Sequence, residues 1–322
     1  MGPAGLRGGG RRRLCGPPQL WHRHHQPPAG SRGLQGGRAG PAPLYRLRGL
    51  QAVRQAQVRL FHRRRQRGQY GESLFRRKDP RAEDEYSPGG KGGARPDRSA
   101  TVYTRLAKQA YPDLPVILGG LEASLRRFAH YDYWLDTVLP SIAEDSGADI
   151  ISFGMGEHQT VEIARRLAAG EPVESITDVD GTCYLTDFDH LPERYVECAG
   201  FRKVASDKVA YAKACRIQMD NQDVVSGNII VQKQSEKYLV QNIPAKPLVR
   251  WELDKVYALP YTRRYHPIYE AMGGVPAIRE VQFSIIQNRG CFAACNFCAI
   301  QLHQADALPA AAPTASWPKQ SG

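Results

Sequence analysis

Acidic residues are missing from the first 71 positions, and so are Lys, Ile, Thr and Asn. Gly, Arg and Pro supply 36 of those 71 residues. No hydrophobic period of 2 or 3.6 persists there long enough to specify an element. The 322-residue chain also lacks any long apolar run; its apolar stretches are short and strand-like, so no segment spans a bilayer. Nor is there an even set of cysteines. There are seven, and three of them fall within eight residues, which excludes a secreted disulfide scaffold and fits a reducing, cytoplasmic setting. What is present is enough for a core: 42% of residues are hydrophobic, and the length suits two or three domains.

The formal charge of +12 is unevenly placed. Residues 1–84 hold 19 Lys+Arg against 4 Asp+Glu, whereas residues 85–322 hold 25 against 28. The basic excess therefore lies wholly in the first quarter. Three readings of that quarter compete. It is an Arg-rich nucleic-acid-binding arm, a disordered Gly/Arg/Pro tail, or the product of a shifted reading frame in GC-rich coding DNA. The shifted frame accounts best for the missing acids and Ile, and nucleic-acid binding is the weakest of the three. A transit peptide would bring an amphipathic helix and abundant Ser, but Ser31 is the only Ser before position 72. Cys15 and the His22, His24 and His25 cluster lack a second spaced pair and are not read as a metal site.

From Tyr86 the character changes. Ser87-Pro88-Gly89-Gly90-Lys91-Gly92-Gly93 is a loop without the Gly-Lys-Ser/Thr of a phosphate-binding P-loop. An αβ alternation follows. Helices are expected at 97–110, with Val102, Leu106 and Ala110 on one stripe, at 122–128 and at 137–145. A further helix is expected at 158–169, with Val161, Ala164, Leu167 and Ala168 on one face and Glu162 paired with Arg166. Short apolar strands at 114–118 and 148–153 run into Gly119-Gly120 and Gly154-Met155-Gly156-Glu157. This spacing predicts a parallel sheet covered by helices, with the glycine turns at its carboxyl edge, where open α/β sheets bind ligands. Gly154-x-Gly156-Glu157 is then a ligand loop or, more simply, a tight turn with an acid at a helix N-terminus. The His130-Tyr131-Asp132-Tyr133-Trp134 cluster is a packed loop or a partner surface. Further strands are expected at 228–232 and 238–241. Cys183, Cys198 and Cys215 read as packing thiols.

The chemistry is concentrated near the end. A strand is expected over Val281–Gln287, broken by Asn288-Arg289-Gly290, and then come Cys291, Cys295 and Cys298 in a C-x3-C-x2-C pattern. Structural zinc takes four ligands, commonly as two separated pairs. A [4Fe–4S] cluster normally takes four cysteines, and three leave one iron open. An iron–sulfur site is the favoured reading, with zinc or no metal as alternatives.

At these residues the sequence resembles the YgiQ family of radical SAM proteins. The resemblance is carried by C-x3-C-x2-C and by Tyr86-Ser87-Pro88-Gly89-Gly90, Gly119-Gly120-Leu121-Glu122-Ala123-Ser124-Leu125-Arg126-Arg127 and His130–Trp134. Arg289-Gly290-Cys291-Phe292 and Cys298-Ala299-Ile300-Gln301-Leu302-His303-Gln304 complete it, so that it covers about residues 85–304. It implies an α/β fold in which a cobalamin-binding-like parallel domain, 85–250, precedes the start of a radical SAM (β/α) barrel, 251–304. It implies cluster ligands Cys291, Cys295 and Cys298, with [4Fe–4S] and S-adenosylmethionine (SAM) as cofactors. The implied reaction is reductive cleavage of SAM to a 5′-deoxyadenosyl radical that acts on an unknown substrate, with an electron donor as partner. No Asp-x-His-x-x-Gly supplies a cobalamin ligand, so that cofactor is not expected. Phe297 is expected to shield the cluster or merely to pack.

Residues 305–322 are Ala/Pro/Ser-rich and aperiodic, and resemble a second loss of frame or a gene fragment. The expectation is therefore a barrel cut short, flanked by a segment (1–84) and a tail (305–322) that are disordered or out of frame, in a product inactive as encoded. Two rival readings remain: a non-enzymatic iron–sulfur or zinc module, and an Arg-rich nucleic-acid-binding protein.

Overall fold

In the computed structural model the residues described are 59–61, 82–284, 286, 289–291, 295 and 298–304. The Cys15 and histidine cluster, most of the Arg-rich segment, Phe297 and the 305–322 tail lie outside them. Seven strands form the main sheet: β1 (Arg59–Phe61), β2 (Val116–Gly119), β5 (Ile150–Ser152), β6 (Thr182–Thr186), β7 (Val196–Cys198), β8 (Ile230–Lys233) and β9 (Tyr238–Gln241). Their order is β1-β2-β5-β6-β9-β8-β7, and β3 (His130–Asp132) and β4 (Thr137–Leu139) make a separate antiparallel pair.

The two strands from which a parallel sheet was expected are parallel neighbours, with Ile117 opposite Ile150 and Leu118 opposite Ile151. Both faces of these strands are covered, which is why they read as unbroken apolar runs rather than alternating ones. Ile117 and Ile150 face Ile163 of α4 (Glu157–Ala168), together with Val173 and Ile176. Leu118 and Ile151 face the opposite layer. There they meet Ala100 of α1 (Ser99–Ala110), Ala123 of α2 (Leu121–Leu125) and Ile142 of α3 (Ile142–Ser146). Asp149 fixes the entry to both strands: it accepts from the Val116 N–H at 2.6 Å and pairs with Lys108 at 2.6 Å.

The sheet as a whole is mixed rather than parallel. β1–β2, β2–β5 and β7–β8 are parallel, whereas β5–β6, β6–β9 and β8–β9 are antiparallel. β8 and β9 are separated only by residues 234–237, too short a connection for a crossover, so they form a hairpin. α5 (Phe201–Ser206) and α6 (Lys208–Asp220) pack beneath this half through Val204 and Ala214.

Several local expectations are corrected. Residues 137–145 do not form one helix: Thr137–Leu139 pairs with His130–Asp132, and helix α3 starts only after Pro140, capped by the Ser141 side chain. Proline breaks the run, and β-branched residues ahead of it suit a strand. On α1 the face turned inward is Ala100, Thr104 and Ala107, because small side chains let the helix approach the sheet. On α4 the buried residues are Gln159 and Ile163, and Val161 is exposed. Glu162 pairs with Arg165, while Arg166 turns to Glu171 and Asp178. Arg59–Phe61, in the segment read as lacking elements, forms β1 on the open edge of β2. A ladder of backbone groups asks little of side-chain pattern.

A last correction concerns the expected barrel strand at Val281–Gln287. Ile278–Val281 is helical (α8, after α7 at Arg250–Tyr257), and 282–283 form a turn. The Gln282 N–H donates to the Ile278 carbonyl at 2.8 Å, and the Ser284 N–H to that of Val281 at 3.1 Å. Local hydrogen bonds satisfy the backbone where the described residues offer this segment no strand partner.

Candidate functional site: a cysteine segment on the carboxyl edge

β2 and β5 end side by side at Gly119 and Ser152, and the glycine turns that follow them form one edge of the sheet. Gly120 (φ 91°) turns the chain into α2, and Gly154 (φ 73°) turns it toward α4. In α2, Glu122 is buried; it accepts from the Ala100 N–H at 3.3 Å and from Arg126 at 3.1 Å, tying α2 to the first turn of α1. Arg127 is buried too, between the rings of Phe128 and Phe153. It donates to Gln241 Oε1 at 2.6 Å and to the Ser124 carbonyl. Burial lowers its pKa. The Gly119–Arg127 motif thus builds the scaffold under the edge.

The loop at Tyr86–Gly90 docks the next part of the chain. The Asp84 carboxylate accepts from Ser87 Oγ at 2.6 Å and from Arg95 Nη2 at 2.7 Å, and this pair is nearly buried. Burial pushes the Asp84 pKa up, but Arg95, Ser87 and the Tyr86 N–H outweigh it and hold the carboxyl below its ordinary value. The Gly89 N–H donates to the Gly274 carbonyl at 2.8 Å, and a Cβ at Gly89 would sit 2.7 Å from the Met272 oxygen. The glycines therefore permit close approach of two backbones.

The described ends of the cysteine segment lie against the carboxyl edge. Arg289 pairs with Glu157, the first residue of α4, and lies over the Tyr257 ring at 5.6 Å. Burial disfavours the Arg289 charge, but the Glu157 carboxylate beside it more than compensates and raises its pKa above the ordinary value. Among the described residues, Glu157 Oε2 is buried without a hydrogen-bond partner. The Gly290 N–H donates to Gln304 Oε1 at 2.9 Å, so the residue before the first cysteine is joined to the end of α9 (Ile300–Gln304). A small cleft lined by Gly154, Met155, Ala245, Pro247, His303 and Gln304 marks where α9 meets the turn after β5. Gly154-x-Gly156-Glu157 forms a tight turn with Glu157 as the first residue of α4.

Cys291 and Cys298 are half-buried and Cys295 is exposed; none is in a disulfide. The Cys298 N–H donates to the Cys295 carbonyl at 2.9 Å. The sulfurs are not gathered: among the described residues no group of three or more His, Cys, Asp or Glu side chains is arranged to hold a metal ion. The donor chemistry nevertheless fits an iron–sulfur group, with three soft, reachable thiols on one short segment. Cys183 and Cys198 contrast with them. Both are buried, and burial pushes each pKa up to about 12; with the half-buried Cys215 they are core or near-core thiols, as their wide spacing suggested. In the His130–Trp134 cluster, Asp132 is buried and caps the turn through the Trp134 and Leu135 N–H groups. Tyr131 and Tyr133 remain exposed.

Sequence reasoning missed Glu157–Arg289, Asp84–Arg95 and the buried glutamines. Gln232 accepts from the Ala129 N–H, Gln234 from the Ser141 N–H, and Gln241 from Arg127. No local signal marks such residues, because Gln in a strand reads as solvent-facing.

An α/β scaffold bearing a thiol-rich segment on its carboxyl edge defines the class of protein. Known proteins narrow it. The family description "Radical SAM N-terminal" matches residues 73–284, and the chain belongs to that family. The match begins inside the 1–84 segment. A UPF0313 protein of Clostridium botulinum (strain Okra / Type B1) is 51% identical over 227 residues, covering 70% of this chain and 35% of the relative. A UPF0313 protein of Clostridium perfringens (strain 13 / Type A) is 50% identical over 225 residues, with coverages of 70% and 34%. The chain spans about a third of the length of these curated relatives. No solved structure matches it. Among the described residues no helix is long and apolar enough to cross a membrane.

Proposed function

We propose that this chain is the scaffold and cluster-bearing part of a radical SAM enzyme, with Cys291, Cys295 and Cys298 as the three protein ligands of a [4Fe–4S] cluster. The observation that carries the reading is the pairing of a radical SAM N-terminal domain with three thiols inside eight residues, none of them fully buried as Cys183 and Cys198 are. A [4Fe–4S] cluster held by these three thiolates would supply one-electron reduction of the SAM sulfonium, the electron coming from an external donor and the C5′–S bond breaking to methionine and a 5′-deoxyadenosyl radical.

The chain's own residues have narrower duties. The three cysteines would hold the iron as thiolates. Arg289 and Gly290 fix the base of their segment. The sheet edge built by Glu122, Arg127 and the turns after β2 and β5 presents a rigid floor. Metal binding would gather the three sulfurs, in the way metal sites commonly form on binding. SAM, an electron donor and an unknown substrate are the partners. Thiolate ligands and a low-potential cluster call for a reducing compartment, which makes the cytoplasm the proposed location.

Anaerobic reconstitution tests the reading. It expects iron and sulfide in equal amounts, absorbance near 400 nm, and loss of both in Cys291→Ser. Zinc instead of iron would favour a structural metal module, and no metal at all would remove the proposal.

A further inference from the structure

Both ends of the cysteine segment meet one turn of the N-terminal domain. At the leading end, Arg289 pairs with Glu157. At the trailing end, the His303 carbonyl packs so closely on Gly154 that a Cβ there would lie 3.2 Å from it. The Gly290 N–H to Gln304 Oε1 bond, 2.9 Å, ties the two ends to each other. The turn Gly154–Glu157 is itself rigidly placed. It follows β5, whose Ile150 and Ile151 are 1% and 0% exposed, and it opens the 12-residue helix α4.

The ion pair is well sheltered, with side-chain exposures of 11% for Arg289 and 22% for Glu157. A sheltered guanidinium–carboxylate pair resists separation, because parting it strands a charge away from water. The Tyr257 ring behind Arg289 limits the directions in which the guanidinium can move. Glu157 is in the first turn of α4, where the helix dipole favours a negative charge. Each partner is therefore fixed by something other than the pair itself.

We propose that Glu157 is a positioning residue: acting through Arg289, it latches the leading end of the cysteine segment to the carboxyl edge of the sheet and so sets where the three thiols can meet. The proposal rests on the reading of those thiols as cluster ligands. The latch itself exists in the metal-free chain, and can be tested there.

The test compares the full chain with Glu157→Gln, Arg289→Gln and the double variant, first without metal. Amide hydrogen exchange at 289–291 and 298–304 should rise about tenfold in each single variant, with β2 and β5 unchanged. Alkylation of Cys291 and Cys298 by iodoacetamide should quicken in step. The double variant should be no worse than either single one, because both remove the same bond. Arg289→Lys, which keeps the charge and loses the planar fork, should fall between wild type and Arg289→Gln. It also decides the matter if the Gln variant fails to fold. In reconstituted protein, iron loss to a chelator should accelerate about tenfold in each single variant. Exchange within twofold of wild type in both single variants, or a double variant equal to the product of the two, overturns the latch. No iron uptake by the wild-type chain, with these exchange changes still present in the variants, removes the cluster reading and leaves the latch standing.

Discussion

The sheet and the cysteine segment are held by different means. Between β2 and β9 the chain buries Ile117, Ile150, Ile151, Leu239 and Val240 almost completely, and it satisfies buried polar groups from within, as Gln232 does for Ala129 and Gln234 for Ser141. Among the described residues, the segment from Arg289 to Gln304 contributes none to the hydrophobic clusters. It rests on an ion pair, a backbone-to-glutamine bond and a close approach to Gly154. The difference teaches that stability and the proposed chemistry would be separable here. The sheet keeps its fold through burial, whereas the thiol segment is anchored at its two ends by a few polar and close contacts, between which the proposed cluster would gather the sulfurs.

The separation can be broken most severely at Asp84→Ala, which removes the carboxylate that pairs with Arg95 in a nearly buried site under the docking loop. Losing one partner of such a pair costs about 3–5 kcal/mol, read by urea unfolding. A cost that small surface changes also produce would show that the Tyr86–Gly90 loop is not part of the scaffold. The same pair sets an acid limit. The Asp84 carboxyl is held below its ordinary 3.8, so its stabilisation is full above that value and is lost as pH falls through the lower folded value.

Next in size is Ile163→Val, which removes one methylene group from the face shared with Ile117 and Ile150 and should cost about 0.5–1.5 kcal/mol. Iron content should stay at the wild-type level; a fall in iron would show that core and thiol segment are coupled.

A milder probe is His130. Burial, its largest influence, lowers its pKa from 6.5 to about 4. The unfolded chain therefore takes up a proton first as pH falls. The sign follows: stability is full above about 6.5, declines between 6.5 and 4, and loses nothing more from this group below 4. Melting curves of His130→Gln should be flatter than wild type across that window, and an unchanged slope would count against the buried, neutral imidazole.

The smallest effect is expected from the thiols. Single Cys→Ser changes at 291, 295 and 298 in the metal-free chain should move unfolding free energy by no more than about 0.5 kcal/mol, as surface substitutions do. A larger shift would mean that the segment belongs to the core after all.

Much of this was legible in the residues, for identifiable reasons. Apolar runs ending in glycine turns marked β2 and β5, and the helix after the second turn was read within a residue of its observed limits. The C-x3-C-x2-C spacing stood out because few other roles crowd thiols so closely. The antiparallel half of the sheet was not legible, since pairing direction depends on distant neighbours rather than on local period. Strand β4 was hidden inside 137–145, whose apolar spacing also suits a helix, and β3 inside the polar-aromatic cluster 130–134, which reads as a loop or partner surface. Val281–Gln287 has a strand's composition, yet Val281 ends helix α8, 282–283 form a turn, and the described residues give the stretch no ladder partner. Glu157 and Arg289 are 132 positions apart, and nothing local to either announces the other.

The most direct measurement is the iron and sulfide content of anaerobically prepared full chain beside a variant with Cys291, Cys295 and Cys298 all changed to Ser. The account predicts about four irons and four sulfides per chain in the first, as a [4Fe–4S] cluster requires, and neither in the second, with the melting behaviour of the two metal-free chains nearly the same. Equal metal content in both would contradict it.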